Sequence, residues 1–297
     1  MVLNGEFFDT LSRLRLAMGH KSSMNLVGNR KSVQKGSSTE FSDFREYMPG
    51  DDIRRIDWNA YGRLDRLYVK EYMEEKEAVV SVLLDTSASM NYGAKKKSEL
   101  ACMLAAAMAY MGLNNMDRVV VYDMQRMQAP FVASGGKKAF PRLADWLDKC
   151  NFEGQADIAK AIQQMPVKGS GVTIIISDFL QEELLSDEGE RDAGEIEKLL
   201  RFLDYRKQKA VLLQVLAGEE LHVDMTGTRN LIDMEDKSTL RLTLDAVSIR
   251  VYEKALGDFI GYLKRQCAKV GATYALCSTE KDFGKLIVED LRMLYDI

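Results

Sequence analysis

Ala78-Val79-Val80-Ser81-Val82-Leu83-Leu84-Asp85-Thr86-Ser87-Ala88-Ser89 is the stretch that decides the fold. Its first seven residues are almost continuously apolar, as a strand buried on both faces requires, and the run then ends abruptly in a carboxylate and hydroxyls. Arg118–Tyr122, Val172–Ile176 and Ala210–Ala217 have the same character. Helical stripes fill the intervals. Leu100, Met103, Leu104, Met108 and Met111 repeat at three-and-four spacing, as do Ile196, Leu199, Leu200 and Leu203. A third stripe, Ile249, Tyr252, Leu256, Phe259, Ile260 and Leu263, precedes a last strand at Thr273–Cys277 and a terminal helix. The βαβαβα order predicts an α/β fold with a doubly wound, mostly parallel sheet.

Outward from this core the texture changes. His222–Asp245 alternates loosely, with turn signals at Thr226–Gly227 and Glu235–Lys237, and predicts a β-hairpin inserted beside the sheet. Leu180–Glu197 carries eight acids against one arginine, with Gly189 and Gly194 interrupting any helix. Before the first strand, residues 1–77 read as an N-terminal extension packed on a sheet domain of residues 78–297. Phe7, Leu11, Leu14 and Met18 predict one short amphipathic helix there. Arg13–Lys35 follows, with six Lys or Arg and no acid, and reads as a loop-like basic arm.

Composition narrows the chemistry. Among 297 residues, 45 acids stand against 41 bases, and this mild acidity gives no global drive toward nucleic acid or an anionic membrane. Two histidines, His20 and His222, and four cysteines nearly exclude a zinc cage. No Cys-x-x-Cys pair occurs, so the cysteines read as reduced thiols. The longest weakly polar run, Leu100–Leu113, has 14 residues. That falls short of the ~20 needed to cross a bilayer, and the expectation is a soluble, cytoplasmic protein.

In an open parallel sheet, ligands bind beyond the carboxyl ends of the strands. Asp85, Ser87 and Ser89 follow one strand, and Ser177 and Asp178 follow another. Oxygen donors without thiolate or imidazole select magnesium, manganese or calcium. A purely structural role competes, because Asp-x-Ser also caps helices. The constellation resembles the metal-ion-dependent adhesion site of von Willebrand factor A domains, with its Asp-x-Ser-x-Ser signature. On that resemblance Asp85, Ser87, Ser89 and Asp178 would hold a divalent cation that keeps one position open for a partner's acidic residue. The family's Gly-Gly-Thr-Asp loop appears here as Gly154-Gln155-Ala156-Asp157. Ala156 thus replaces a threonine ligand, and Asp157 becomes a further candidate.

A second resemblance rests on Glu40–Trp58, EFSDFREYMPGDDIRRIDW, together with Tyr68–Tyr72 and Val270–Tyr274. These segments are similar to a bacterial and archaeal family of unknown function, number fifty-eight in its series, which joins this motif to a von Willebrand factor A-like domain. That resemblance implies a non-enzymatic adaptor working with a MoxR-type AAA+ ATPase in protein assembly or maturation. Within the motif, Pro49-Gly50-Asp51-Asp52 reads as a turn, and Arg54, Arg55 and Asp57 as a charge-paired network around Trp58. Asp51, Asp52 and Arg54 alternatively form a recognition site. Two other functions fit the same residues. One is a metal-independent interaction protein using Glu182–Glu197 or Arg13–Lys35. The other is a magnesium-dependent phosphotransferase with Asp85 as nucleophile, although its acid/base position would be occupied by Ser87, a poor proton carrier.

Overall fold

The computed structural model describes residues 5, 7–11, 31–32, 40–75, 78–166, 169–181, 194–235 and 237–294. They fall into two compact units, one within residues 28–77 and the other within 1–27 and 78–297.

In the smaller unit, strands β1 (Lys31–Ser32), β2 (Glu40–Glu46) and β3 (Tyr68–Glu75) form an antiparallel sheet in the order β1-β3-β2. Helix α1 (Trp58–Leu64) lies between β2 and β3 in sequence. Asp57 starts it by accepting from the Asn59 and Ala60 N–H groups, which would otherwise be orphaned in the first turn.

The larger unit is a mixed α/β structure. Its sheet contains β4 (Val79–Leu84), β5 (Arg118–Asp123), β6 (Phe131–Ala133), β7 (Gly171–Ser177), β8 (Gln208–Leu216) and β11 (Thr273–Ser278), in the order β11-β8-β7-β4-β5-β6. All pairings are parallel except β5 with β6. The predicted strands are therefore all present, with β4 and β7 at the centre. The edge strand β6 has only three residues, too few for periodicity to reveal.

Helices cover both faces, and the pleat sorts the strand side chains between two cores. Val80, Val82 and Leu84 face α2 (Lys97–Asn114), α3 (Phe140–Leu147) and the C-terminal residues Leu286–Leu294. Leu83 joins Tyr122, Ile175 and Leu212 against α4 (Ile158–Gln164), α5 (Glu195–Tyr205) and α7 (Ala246–Lys269). Within the first core, Phe7 stacks on Phe140 and Phe283, and Leu11 is buried beside it. Leu14 and Met18, most of Arg13–Lys35 and most of Glu182–Glu197 lie outside the described residues.

Helix α2 is more enclosed than its stripe suggests, because its alanines are buried as well as its leucines and methionines. Small residues let it approach the sheet closely. A β-carbon added at Gly112 would lie 2.8 Å from Val119 Cγ2 and 3.3 Å from Val80 Cγ2. The hairpin is also present, as β9 (Gly227–Ile232) and β10 (Thr239–Leu244), but it forms its own two-stranded sheet. No helix among the described residues is long and apolar enough to cross a membrane. All four cysteines are free; burial pushes the thiols of Cys102, Cys150, Cys267 and Cys277 up to about 12.

The contact at Gly112 can be tested directly. Gly112→Ala would gain up to ~1 kcal/mol of helix propensity, but forcing a methyl against β-branched core side chains costs ~1–3 kcal/mol. The net expectation is a lower urea midpoint with an unchanged m-value.

Candidate functional site

The carboxyl ends of β4 and β7 meet because the strands pair in register, Leu84 opposite Ile176, and Asp85 N–H donates to the Ile176 carbonyl at 2.9 Å. Asp85 has no exposed surface. Its Oδ1 accepts from Ser87 N–H at 2.9 Å and its Oδ2 from the Ser177 hydroxyl at 2.5 Å. Ser87 and Ser89 hydroxyls are 3.0 Å apart. Burial, and then the nearby Asp178 carboxylate, push the Asp85 carboxyl above the usual carboxylate range, against the opposing hydrogen bonds from Ser177 and Ser87.

Asp178 enters from the turn after β7. Here Phe179, fully buried, takes a left-handed conformation with φ of 59°, and its N–H donates to Ser177 Oγ at 3.0 Å. The Asp178 carbonyl accepts from Gln214 Nε2 at 2.9 Å, and Gln214 Oε1 in turn accepts from the Tyr274 hydroxyl at 2.5 Å. Asp178 Oδ1 accepts from Leu180 N–H at 3.1 Å.

Its Oδ2 meets a residue that the sequence reading passed over. Lys97, at the start of α2 and fully buried, places Nζ 2.7 Å from Asp178 Oδ2 and 2.6 Å from Glu220 Oε1. Glu220 belongs to the short helix α6 (Gly218–Leu221), and its Oε2 accepts from Ala217 N–H at 2.8 Å. Burial alone would lower the proton affinity of Lys97, but Asp178 and Glu220 outweigh it and hold the amine above the ordinary lysine value. The site therefore contains a cation supplied by the chain.

As donors for a divalent cation, these carboxylates are already engaged by protein groups in this arrangement. Both oxygens of Asp85 and both of Asp178 already accept hydrogen bonds from protein groups, and Ala156 offers no side-chain oxygen. Magnesium demands near-octahedral oxygen at ~2.0–2.1 Å. Among the described residues no three His, Cys, Asp or Glu side chains converge as a metal site. Asp157 caps α4, its Oδ1 accepting from Lys160 N–H at 2.8 Å. The structure thus brings Asp85, Ser87, Ser89 and Asp178 together and gives Asp157 a helix-capping bond.

Two further carboxylates border the site from the insertion. Glu235, at the hairpin turn, lies beside Ser89; burial first, then Asp85 and Asp178, raise its proton affinity. Asp233 holds the same turn, its Oδ1 accepting from Glu235 N–H at 2.7 Å.

Residues 43–257 match the family model described as protein of unknown function DUF58. The chain belongs to this family. It is similar to the uncharacterized proteins Mb1516 of Mycobacterium bovis and Rv1480 of Mycobacterium tuberculosis, each 28% identical over 180 residues. Those matches take in 57% of this DUF58 chain and 56% of each relative, so the chain spans little more than half the length of the curated relatives it matches. Among solved structures, BatB from Bacteroides thetaiotaomicron aligns with a TM-score of 0.40 at 14% identity, over 73% of this chain and 98% of that one. An aerotolerance-related membrane protein from Bacteroides fragilis aligns with a TM-score of 0.39 at 14% identity, over 73% and 99%.

In the smaller unit of the DUF58 chain, the motif charges pair locally. Arg45 Nη2 is 2.9 Å from both oxygens of Asp51, Arg54 binds Asp52 at 3.1 Å, and Lys70 Nζ reaches Asp57 at 3.2 Å. Trp58 is 63% exposed, with Tyr61 edge-on against it, so these ion pairs do not enclose its ring.

Replacing Lys97 by methionine strands two carboxylates next to each other, which typically costs ~3–5 kcal/mol. Chemical denaturation of Lys97→Met should show that loss, and adding Asp178→Asn should recover part of it. Asp85 gives a pH-dependent test. A carboxyl whose folded proton affinity is raised contributes stability at low pH and loses it as pH climbs above its unfolded value. Asp85→Asn removes that loss, so its melting temperature relative to wild type should increase as pH rises above the ordinary aspartate range.

Proposed function

We propose that this chain is a non-catalytic protein-binding module that takes its partner at the carboxyl ends of β4 and β7, with the Lys97 ammonium as the resident cation of the site. The buried bridge from Lys97 to Asp178 and Glu220 is the observation that carries the reading. In this reading the strand-end turn is von Willebrand factor A-like in sequence and lysine-based in chemistry. The burial of Asp85, with both oxygens hydrogen-bonded, supports a non-catalytic role, because a nucleophile needs a line of approach to its substrate. A MoxR-type AAA+ ATPase is the partner class we assign, on the resemblance carried by Glu40–Trp58.

A cation-assisted site is the second reading, favoured by the Ser87 and Ser89 hydroxyls lying 3.0 Å apart beside Asp85. It requires Lys97 to leave Asp178 before a metal can enter.

Magnesium calorimetry separates the two. Under the lysine-based reading wild type gives only dilution heat, and Lys97→Met acquires a binding isotherm that Asp178→Asn removes. A wild-type isotherm abolished by Asp85→Ala would establish the cation-assisted site instead. Co-purification with a MoxR-type ATPase should be insensitive to EDTA in the first case and sensitive in the second.

A further inference from the structure

The hairpin has an amphipathic pattern, and among the described residues no layer covers its apolar face. In β10, Leu240, Leu242 and Leu244 alternate with Arg241 and Thr243, and the pairing of Leu240 with Leu231 puts Leu231 on the same face. Such alternation marks a ribbon with one face buried. Here every residue of β9 is exposed, and Leu231, Leu240 and Leu242 are among the exposed large apolar side chains.

Beneath the hairpin is a cleft of about 880 Å³ that opens onto the strand-end site. The apolar part of its lining includes Leu231, Leu242 and Leu244 of the hairpin, Ile249 and Tyr252 of α7, and Leu180 after β7. Its charged lining is of one sign: Asp157, Asp178, Glu219, Glu220, Asp233 and Glu235 border it, and among the described lining residues there is no lysine or arginine. Lys97 offsets two of these acids from below, where it has no exposure. The remaining field is negative and faces a partly apolar wall. Fields of this kind select partners of opposite charge and desolvate poorly against like charge.

We infer that this cleft is a docking groove for a cationic, amphipathic segment of a partner protein, whose apolar side chains cover the Leu231/Leu242 face while its lysines or arginines meet Glu235 and the neighbouring carboxylates. This deepens the protein-binding reading and rests on it. The lysine-based site decides the sign of the partner: a divalent ion at Asp85 and Asp178 would call for an acid, whereas the acidic lining of the cleft, with its lysine buried below, calls for a base.

The probe is a fluorescein-labelled peptide of alternating leucine and lysine, compared with the same peptide carrying glutamate for lysine and with one carrying serine for leucine. Anisotropy is measured on the full chain, in EDTA and in magnesium. The leucine–lysine peptide should bind in both buffers, weaken with salt, and lose about ten-fold in affinity with either Glu235→Lys or Leu242→Ser. Both substitutions are on the hairpin, Leu242 exposed and Glu235 half-buried, and unchanged melting temperatures would show that the fold survives them. Glu235→Lys should also gain affinity for the glutamate peptide, a reversal that simple loss of structure does not produce.

Equal binding of the leucine–lysine and serine–lysine peptides, or no loss in either variant, would overturn the groove. Should none of the peptides bind while magnesium calorimetry behaves as expected for Lys97, the groove falls and the lysine-based site stands. Binding of the glutamate peptide alone, and only in magnesium, would overturn both. A wild-type dimer by sedimentation that Leu242→Ser dissociates would assign the face to a second copy of the chain and likewise overturn the partner assignment.

Discussion

A lysine ammonium cannot be carried into a protein interior unless carboxylates go with it, and the arrangement around Lys97 follows from that constraint. The first turn of α2 supplies the cation, the turn after β7 supplies one acid, and the helix after β8 supplies the other. These elements are far apart in sequence, with Lys97 and Glu220 separated by 123 positions. The bridge therefore closes only when the parallel order β4-β7-β8 has formed. The strand-end cluster depends on the same closure, because Asp178 is held by Lys97 on one oxygen and by its own turn on the other.

The polar site is expensive in proportion to how well it is shielded. Asp85 sits where its charge is disfavoured by burial and by Asp178, and the hydroxyl of Ser177 with the backbone of Ser87 offsets only part of that cost. Thr86 extends the network to the next strand, donating to Asp123 at 2.5 Å, while Gln125 donates to the Thr86 and Glu153 carbonyls. Perturbed carboxyls held in this way are a feature of functional sites more than of purely structural ones.

The sheet was legible because its central strands are short, β-branched-rich runs that are apolar on both faces, whereas the equally apolar α2 is too long and too alanine-rich to be a strand. The hairpin and the stripes of α5 and α7 were legible through their periods of two and of three to four. By contrast, β6 is too short to show any period. Lys97 was hidden for another reason: in the run Lys95-Lys96-Lys97 it has the look of a solvated helix start, and nothing local distinguishes the one lysine that turns inward. Its partners lie in other elements, so the signal is tertiary. Ala156 was readable as a missing oxygen, and the structure adds what proximity in sequence could not, namely that an ammonium is present in the same cluster. In the smaller unit, the motif charges were readable as ion-paired, but their pairing partners, Arg45 for Asp51 and Lys70 for Asp57, lay outside the network read around Trp58.

Gln214 gives the sheet a property distinct from stability. It is a fully buried amide within the apolar run Ala210–Leu216, satisfied by Asp178 on one side and Tyr274 on the other. Sliding β8 by one residue against β7 and β11 would turn the amide to the opposite layer and leave it among aliphatic side chains with neither partner. Leucine and valine tolerate such a slip far better than an amide does. The alignment of these three strands is thus set by the penalty on one misplaced polar group, and the position of Asp178 is inherited from it.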